Sequence, residues 1–466
     1  MIFNSYIFLF VFLPIAFAGF WILRGKQLRY LWLTIMSYIF YGYWNYKFAG
    51  LMLLSTVIDF FAAQIIANAS TPQKKKVGIV ISVIVNLALL GFFKYFNFGI
   101  DTLQSIFDIF QWQVPLPALN IILPVGISFY TFQSMSYTID VYRGQLQPTK
   151  NFLEYATYVS LFPQLVAGPI VRFRDIVNDL ENIHLLRKAS AFHTGVSIFV
   201  IGLAKKVIIA DSIASIINPL WNDPSALSAG AAWIAVLGYT YQLYFDFSGY
   251  SDMAVGLGRL FGFHFPQNFN SPYKAINISD FWRRWHITLS SWLRDYLYIP
   301  LGGSRLGTVR TYVNLFITML LGGLWHGANW TFVIWGSYHG ALLALYKMVK
   351  NPYDRLPIFL QRATTFFLVV IGWVFFRSPT FGAATAMLTR MFGGAMAGTG
   401  ALLAGGALMT AVILLAFCFL ATNFFPNTFE WQFSKKPRYA VALAAVAVLS
   451  LIFMNYQQSV FLYYQF

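Results

Sequence analysis

Six histidines, His184, His193, His264, His286, His326 and His339, are the side chains best suited to move a proton near neutral pH. His326 has the most telling surroundings, LLGGLWHGANW, with Trp325 before it, Gly327 after it and Asn329 three residues on. Glycine flanks remove bulk and let a substrate or another backbone come close. An ionisable residue inside an apolar stretch is expensive and marks a functional candidate. Burial disfavours the imidazolium, so a histidine placed there stays neutral and able to accept a proton. The competing reading is a buried, hydrogen-bonded histidine with no chemistry. His286, in WRRWHITLS, has Arg283 and Arg284 on nearby turns and an aromatic face of Trp282, Trp285 and Trp292. Either this is an interfacial belt helix anchored by tryptophan, or it lines a cytosol-facing vestibule where arginines hold phosphates.

The other candidates are blander. His184 and His193 flank the basic pair Arg187–Lys188 and read as solvated or interfacial. His264, in GFHFPQN, falls in a loop, and His339, in WGSYHGALL, reads as a hydrogen-bonded packing residue facing a span interior. Asp246 and Asp252 share the apolar run YQLYFDFSGYSDMAVGLG. Six residues is nearly two helical turns, so an unbroken helix puts them on roughly one side, although Gly249 is a place to break it. They suit an acid and base pair, or the plainer task of pairing with an intramembrane arginine or orienting a histidine. The loop PLGGSRLGTVR has the glycines of an anion-binding nest but neither nucleotide-motif spacing. No GxSxG elbow or HExxH motif is present, and the one cysteine, Cys418, sits in an apolar run, so neither a serine triad nor a metal site is expected.

The elements that hold these residues are membrane elements. Of the 466 residues, 58% are hydrophobic and 10% charged, where a soluble domain carries about 25% charged residues. With about 20 apolar residues per crossing, the length allows about ten to twelve transmembrane helices. The 32 basic and 16 acidic residues give a net charge of +16, yet the basic residues stand in short clusters between apolar runs. That pattern is a topology signal, and no nucleic acid is expected as a partner. An apolar opening with its first charges after it, at Arg24, Lys26 and Arg29, reads as a retained span with the N-terminus outside. Further spans are expected near Leu28–Trp44, Phe48–Ala69, Val77–Phe98 and Leu119–Val141, with an external stretch at Ile100–Leu116. Lys74–Lys76, Arg143 with Lys150, Lys347–Arg355 and Ser434–Arg438 all then fall inside. Pro163, Gly168 and Pro169 interrupt Phe152–Ile170, and charges stud the helical pattern of Asp280–Leu301. Both read as re-entrant or interfacial helices packed within protein. The layout is one all-α integral membrane domain over 1–466, with N-terminal spans in 1–142, an irregular core in 143–350 and C-terminal spans in 351–466.

Four blocks, LFPQLVAGPIVRF, QLYFDFSGYSDMAVGLGRLFGF, FWRRWHITLSSWLRDYLYIPLGG and LLGGLWHGANWTFVIWGSYHG, together resemble the membrane-bound O-acyltransferase (MBOAT) family. Within it they are most similar to the bacterial alginate O-acetylation branch, with peptidoglycan O-acetylation proteins nearby. MIFNSYIFLFVFLPI and ISFYTFQSMSYTIDVYRG fit the same branch. The resemblance is strong over roughly 1–350 and confined to hydropathy in the last hundred residues. It places the family's key histidine on His326 and its second polar position on His286. It implies a helical funnel through the inner (cytoplasmic) membrane of a bacterium, with acetyl-CoA as the acyl donor from the cytosol and no cofactor. A polysaccharide outside is the acceptor, often reached through a periplasmic SGNH-type acetyltransferase partner. On that reading His326 is the general base, His286 lines the donor side, and Arg283 and Arg284 lie near the donor phosphates. Trp325, Asp246 and Asp252 line the substrate site, and Asn329 is spaced to donate to a developing oxyanion. Alginate, peptidoglycan, cellulose or teichoic acid would each serve as acceptor. Two rival classes fit the residues alone: a transporter without chemistry, and a structural subunit that docks a soluble enzyme.

Overall fold

The computed structural model describes residues 1–112, 114–117, 119–186, 192–393, 406–456 and 462, and among these the regular structure is helical throughout. Arg187–Lys188 lie outside the described residues. Two compact units divide the chain, Met1–Gly195 with Ala254–Pro266, and Val196–Met253 with Gln267–Phe466.

In the first unit the principal helices are α1 (Phe8–Ile22), α2 (Lys26–Gly42), α3 (Tyr46–Ala67), α4 (Pro72–Ile109), α5 (Ile127–Tyr142), α6 (Phe152–Ser160), α7 (Phe162–Leu165) and α8 (Phe173–Glu181). A polar knot ties three of them. Asp59 of α3 accepts from Ser82 Oγ at 2.6 Å and from Asn86 Nδ2 at 2.8 Å, and the Ser82 hydroxyl meets that of Thr138 on α5 at 2.8 Å. Buried polar atoms are thus satisfied by one another, as a low-dielectric interior requires.

Two expectations change in this unit. The helix expected near Val77–Phe98 runs further: α4 is one helix of 38 residues ending at Ile109, with a π-turn at Gly91–Tyr95. Its acidic residues stay accommodated because Asp101 and Asp108 are exposed on the helix surface. The next span starts late, at Ile127, after Gly126 in the left-handed region (φ +75°). A Cβ on Gly126 would lie 2.6 Å from the Leu165 carbonyl oxygen. The interruption expected at Pro163 is present, between α6 and α7, and every residue from Glu154 to Phe173 is buried. Protein covers the irregular backbone there, the condition under which it persists in a membrane.

The second unit continues through α9 (Phe192–Ala204), which begins in the first, then α10 (Asp211–Ile217) and α11 (Ala229–Leu260), whose end returns to the first. After them come α12 (Ile278–Arg284), α13 (Ile287–Leu293), α14 (Thr308–His326), α15 (Trp330–Met348), α16 (Ile358–Arg377), α17 (Phe381–Met391), α18 (Gly406–Phe424) and α19 (Pro437–Tyr456). Gly249 does not break α11. Instead, a Cβ there would lie 2.7 Å from the Gly202 carbonyl oxygen, so Gly249 lets α9 and α11 touch along their backbones. Among the described residues, α3, α4, α16, α18 and the stretch Pro437–Asn455 are long and apolar enough to cross a membrane.

Candidate active site

The site is built on a hairpin of α14 and α15. Gly323 and Gly336 face each other so closely that a Cβ on Gly323 would lie 2.9 Å from Gly336 Cα. A Cβ on Gly336 would press into the Met319 carbonyl oxygen, and one on Gly340 would come within 2.9 Å of Phe316 Cα. This contact fixes the C-terminal end of α14, where His326 is the last helical residue. The turn then closes on Asn329, which caps α15: Oδ1 accepts from Thr331 N at 2.9 Å, and Nδ2 donates to Pro379 O at 2.9 Å.

The helix expected over Asp280–Leu301 breaks at His286, which sits in the left-handed region at φ +44° between α12 and α13. The cause is backbone pairing with the irregular segment that holds Asn268 and Asn270. Ile287 N donates to Asn268 O at 2.9 Å and Asn270 N donates to Arg284 O at 2.9 Å, bonds that a continuous helix would have made internally. The Asn268 side chain completes the join: Oδ1 accepts from Thr288 Oγ1 at 2.9 Å and lies 3.2 Å from His286 Nδ1. His286 is fully buried, and that burial lowers its pKa below the ordinary imidazole value, keeping the ring neutral.

These two breaks bring the histidines together. The rings of His286 and His326 lie 6.3 Å apart, and both are buried. Trp325 stands 6.1 Å from His286, Phe247 of α11 packs 4.8 Å from it, and Phe376 of α16 packs 5.2 Å from His326. Trp335 of α15 lies against His326 at 5.1 Å and against His339 at 4.9 Å. His339 differs from its expected role: it is buried, but neither ring nitrogen has a hydrogen-bond partner among the described residues.

The remaining candidates take other places. Arg284 Nε donates to Asp280 Oδ2 at 2.9 Å, while the Arg283 side chain is 68% exposed and 3.5 Å from Asp280. Asp246 and Asp252 pair with lysines, not arginines: Lys206 Nζ is 2.5 Å from Asp246 and 2.7 Å from Asp211, and Lys205 Nζ is 2.7 Å from Asp252. Thr428 donates to Asp252 at 2.6 Å. Asn268 is a polar partner of His286. Lys205 and Lys206 were readable as two adjacent lysines in the apolar run GLAKKVIIA; Asn268 carried no such signal. His264 is exposed and bonded to Asp179 at 3.0 Å, and His184 is exposed, as solvated histidines should be. The glycine loop before α14 does turn left-handed, at Gly302, Gly303 and Gly307. No group of three or more metal-binding side chains occurs among the described residues.

Helices long and apolar enough to span a membrane mark a helical integral membrane protein, and one of its units holds the buried histidine pair. Its family is equally plain: a model described as the membrane-bound O-acyltransferase family matches residues 38–379, and the chain belongs to that family. It is an O-acyltransferase. A Pseudomonas aeruginosa protein named "Probable alginate O-acetylase AlgI" is 47% identical, covering 84% of this chain and 75% of its own. A peptidoglycan O-acetyltransferase of Helicobacter pylori is 40% identical, over 84% of this chain and 80% of its own. A teichoic acid D-alanyltransferase of Bacillus subtilis is 29% identical, over 57% of this chain and 71% of its own.

Proposed function

We propose that the chain takes acetyl from cytosolic acetyl-CoA and passes it through the membrane for O-acetylation of an extracytoplasmic polysaccharide, with alginate the first choice of acceptor. The observation that carries this reading is the buried His286–His326 pair, 6.3 Å apart within the matched region. His326 is the general base. It takes the proton of an acceptor hydroxyl as that oxygen bonds to the thioester carbon, and returns it to the thiolate as the C–S bond breaks. Such catalysis contributes on the order of 10²–10⁴-fold. His286, held by Asn268, borders the donor thioester. Arg283, with its exposed guanidinium, and Arg284 meet the donor phosphates. Trp325 walls the acyl group, while Asp246 and Asp252 shape that wall through Lys206 and Lys205.

The reading has about ten to twelve spans forming a funnel in a bacterial inner membrane, the N-terminus outside. Residues 1–142 and 351–466 supply spans and 143–350 the reacting core of one integral membrane domain. An SGNH-type periplasmic protein completes the transfer, and no cofactor is needed. The identity to the Pseudomonas aeruginosa protein favours alginate, and that to the Helicobacter pylori protein makes peptidoglycan the second acceptor.

The test is O-acetyl content of the polymer in producing cells, with membrane abundance and detergent-extracted size measured beside it. His326→Ala should abolish acetylation at normal abundance. Acetylation retained by that variant overturns the base assignment.

A further inference from the structure

Three aromatic rings behind His326 carry polar nitrogens that the mechanism so far leaves unused. Trp282 of α12, Trp335 and His339 form a closed triangle, with ring centroids 5.7 Å apart for Trp282–Trp335, 5.2 Å for Trp282–His339 and 4.9 Å for Trp335–His339. Trp282 is 9% exposed, Trp335 1% and His339 0%. Both indole Nε1 atoms and both His339 ring nitrogens are buried without a hydrogen-bond partner among the described residues. Each buried donor left unmade costs about 1–3 kcal/mol, so such a concentration calls for a use.

The chemistry of the triangle is one-sided. An indole N–H donates and cannot accept. His339 Nε2 is closed off by the backbone of α16, because a Cβ on Gly372 would lie only 2.8 Å from it. A glycine C–H faces that nitrogen, which suits it as the weak acceptor and leaves the ring proton on Nδ1. The cluster then offers three N–H donors and no charge. Donors of this kind match a carbonyl oxygen that gains negative charge during attack, and they act strongly where water is excluded. Asn329, the donor expected from spacing, is committed to Pro379 and to the cap of α15. Trp335, by contrast, lies directly against the His326 ring.

We propose that the N–H groups of Trp335, Trp282 and His339 form the oxyanion site of this enzyme, binding the acyl carbonyl of the thioester while His326 removes the acceptor proton. The proposal rests on the acyl-transfer reading above. As the thioester carbonyl becomes a tetrahedral oxyanion, its charge falls among the donors; it reforms the carbonyl when the thiolate departs with the proton from His326.

The experiment follows thioester cleavage by purified protein in proteoliposomes with acetyl-CoA, measuring thiol release with the SGNH-type partner protein and alginate oligosaccharides both present. His339→Leu and Trp335→Phe should each lower kcat by about 10²-fold, the typical loss of one oxyanion donor, with KM for acetyl-CoA held within about threefold. His339→Asn keeps an N–H where Nδ1 stood and should recover kcat to within about fivefold of wild type. A His339→Asn variant as slow as His339→Leu, or losses confined to KM, makes the cluster a packing feature and overturns the proposal. Trp282→Phe supplies a second variant if His339→Leu fails to elute as a monodisperse protein, and an unchanged kcat in it counts against the proposal. Wild-type protein that releases no thiol, or a His326→Ala variant that still does, sinks instead the acyl-transfer reading beneath it.

Discussion

Asn268 shows how much a single neutral side chain can organise. Its Oδ1 meets His286 Nδ1, Thr288 Oγ1 and, at 3.3 Å, Thr288 N, all in buried surroundings. Asn268→Ala removes that acceptor from three groups at once, each costing about 1–3 kcal/mol when left unmade. The expected outcome is a lower thermal midpoint in detergent and an acetyl-transfer kcat down about tenfold, read from melting curves and steady-state rates. Asn268→Asp should do worse, since a carboxylate would be buried without a cation. His326 was legible in the sequence because its glycines and its apolar run sit beside it in the chain. Asn268 was not, since its partner lies 18 residues away across a break that only the folded backbone makes. The partners of Asp246 and Asp252 were half legible: burial implied a cation, but which cation depends on the packing of α9 against α11.

Helices in this chain stop where backbone bonds are taken elsewhere, and continue where they are not. The break at Pro163 was legible because proline lacks a donor whatever surrounds it. The break at His286 was not, because Asn268 and Asn270 take its helical bonds from a distance. α4 runs on past Phe98 because a helix face open to solvent carries Asp101 and Asp108 at little cost. Glycine roles can be separated by substitution. Alanine is ordinarily favoured over glycine in a helix by about 1 kcal/mol, and at Gly50 of α3, where a Cβ meets nothing within 4 Å, Gly50→Ala should be neutral or mildly stabilising. At Gly336 the sign reverses. Gly336→Ala drives a methyl into the Met319 carbonyl oxygen and should lower both melting temperature and acetylation, measured on the same preparations.

Over the whole molecule, scarce charge is sorted into surface clusters and a few buried pairs. Lys206 is fully buried between Asp211 and Asp246. Removing one partner of a buried pair costs about 3–5 kcal/mol, because the remaining charge stays uncompensated. Lys206→Met should therefore sharply reduce membrane abundance on immunoblots, and adding Asp246→Asn should recover part of it. Apolar side chains stand open on α18: Ile413, Phe417 and Phe424 are all at least half exposed. A charge at a helix centre in a bilayer costs about 2.5–3.5 kcal/mol on insertion scales, so Phe417→Lys should lower the inserted fraction in a glycosylation-tag insertion assay, while Phe417→Leu leaves it unchanged. That the chain lives in a membrane was legible from composition alone. The pairing of its buried charges was not, because composition counts charges without placing them.

The glycine contact between α14 and α15 has one more consequence. Side chains between helices act as a cushion, since rotamers can adjust while axes slide; two backbones in direct contact have no such slack. His326 at the end of one helix and Trp335 and His339 on the other are thus parts of a single stiff lever. Any motion of this hairpin carries the His326, Trp335 and His339 rings together, so the register among them is kept without having to be rebuilt.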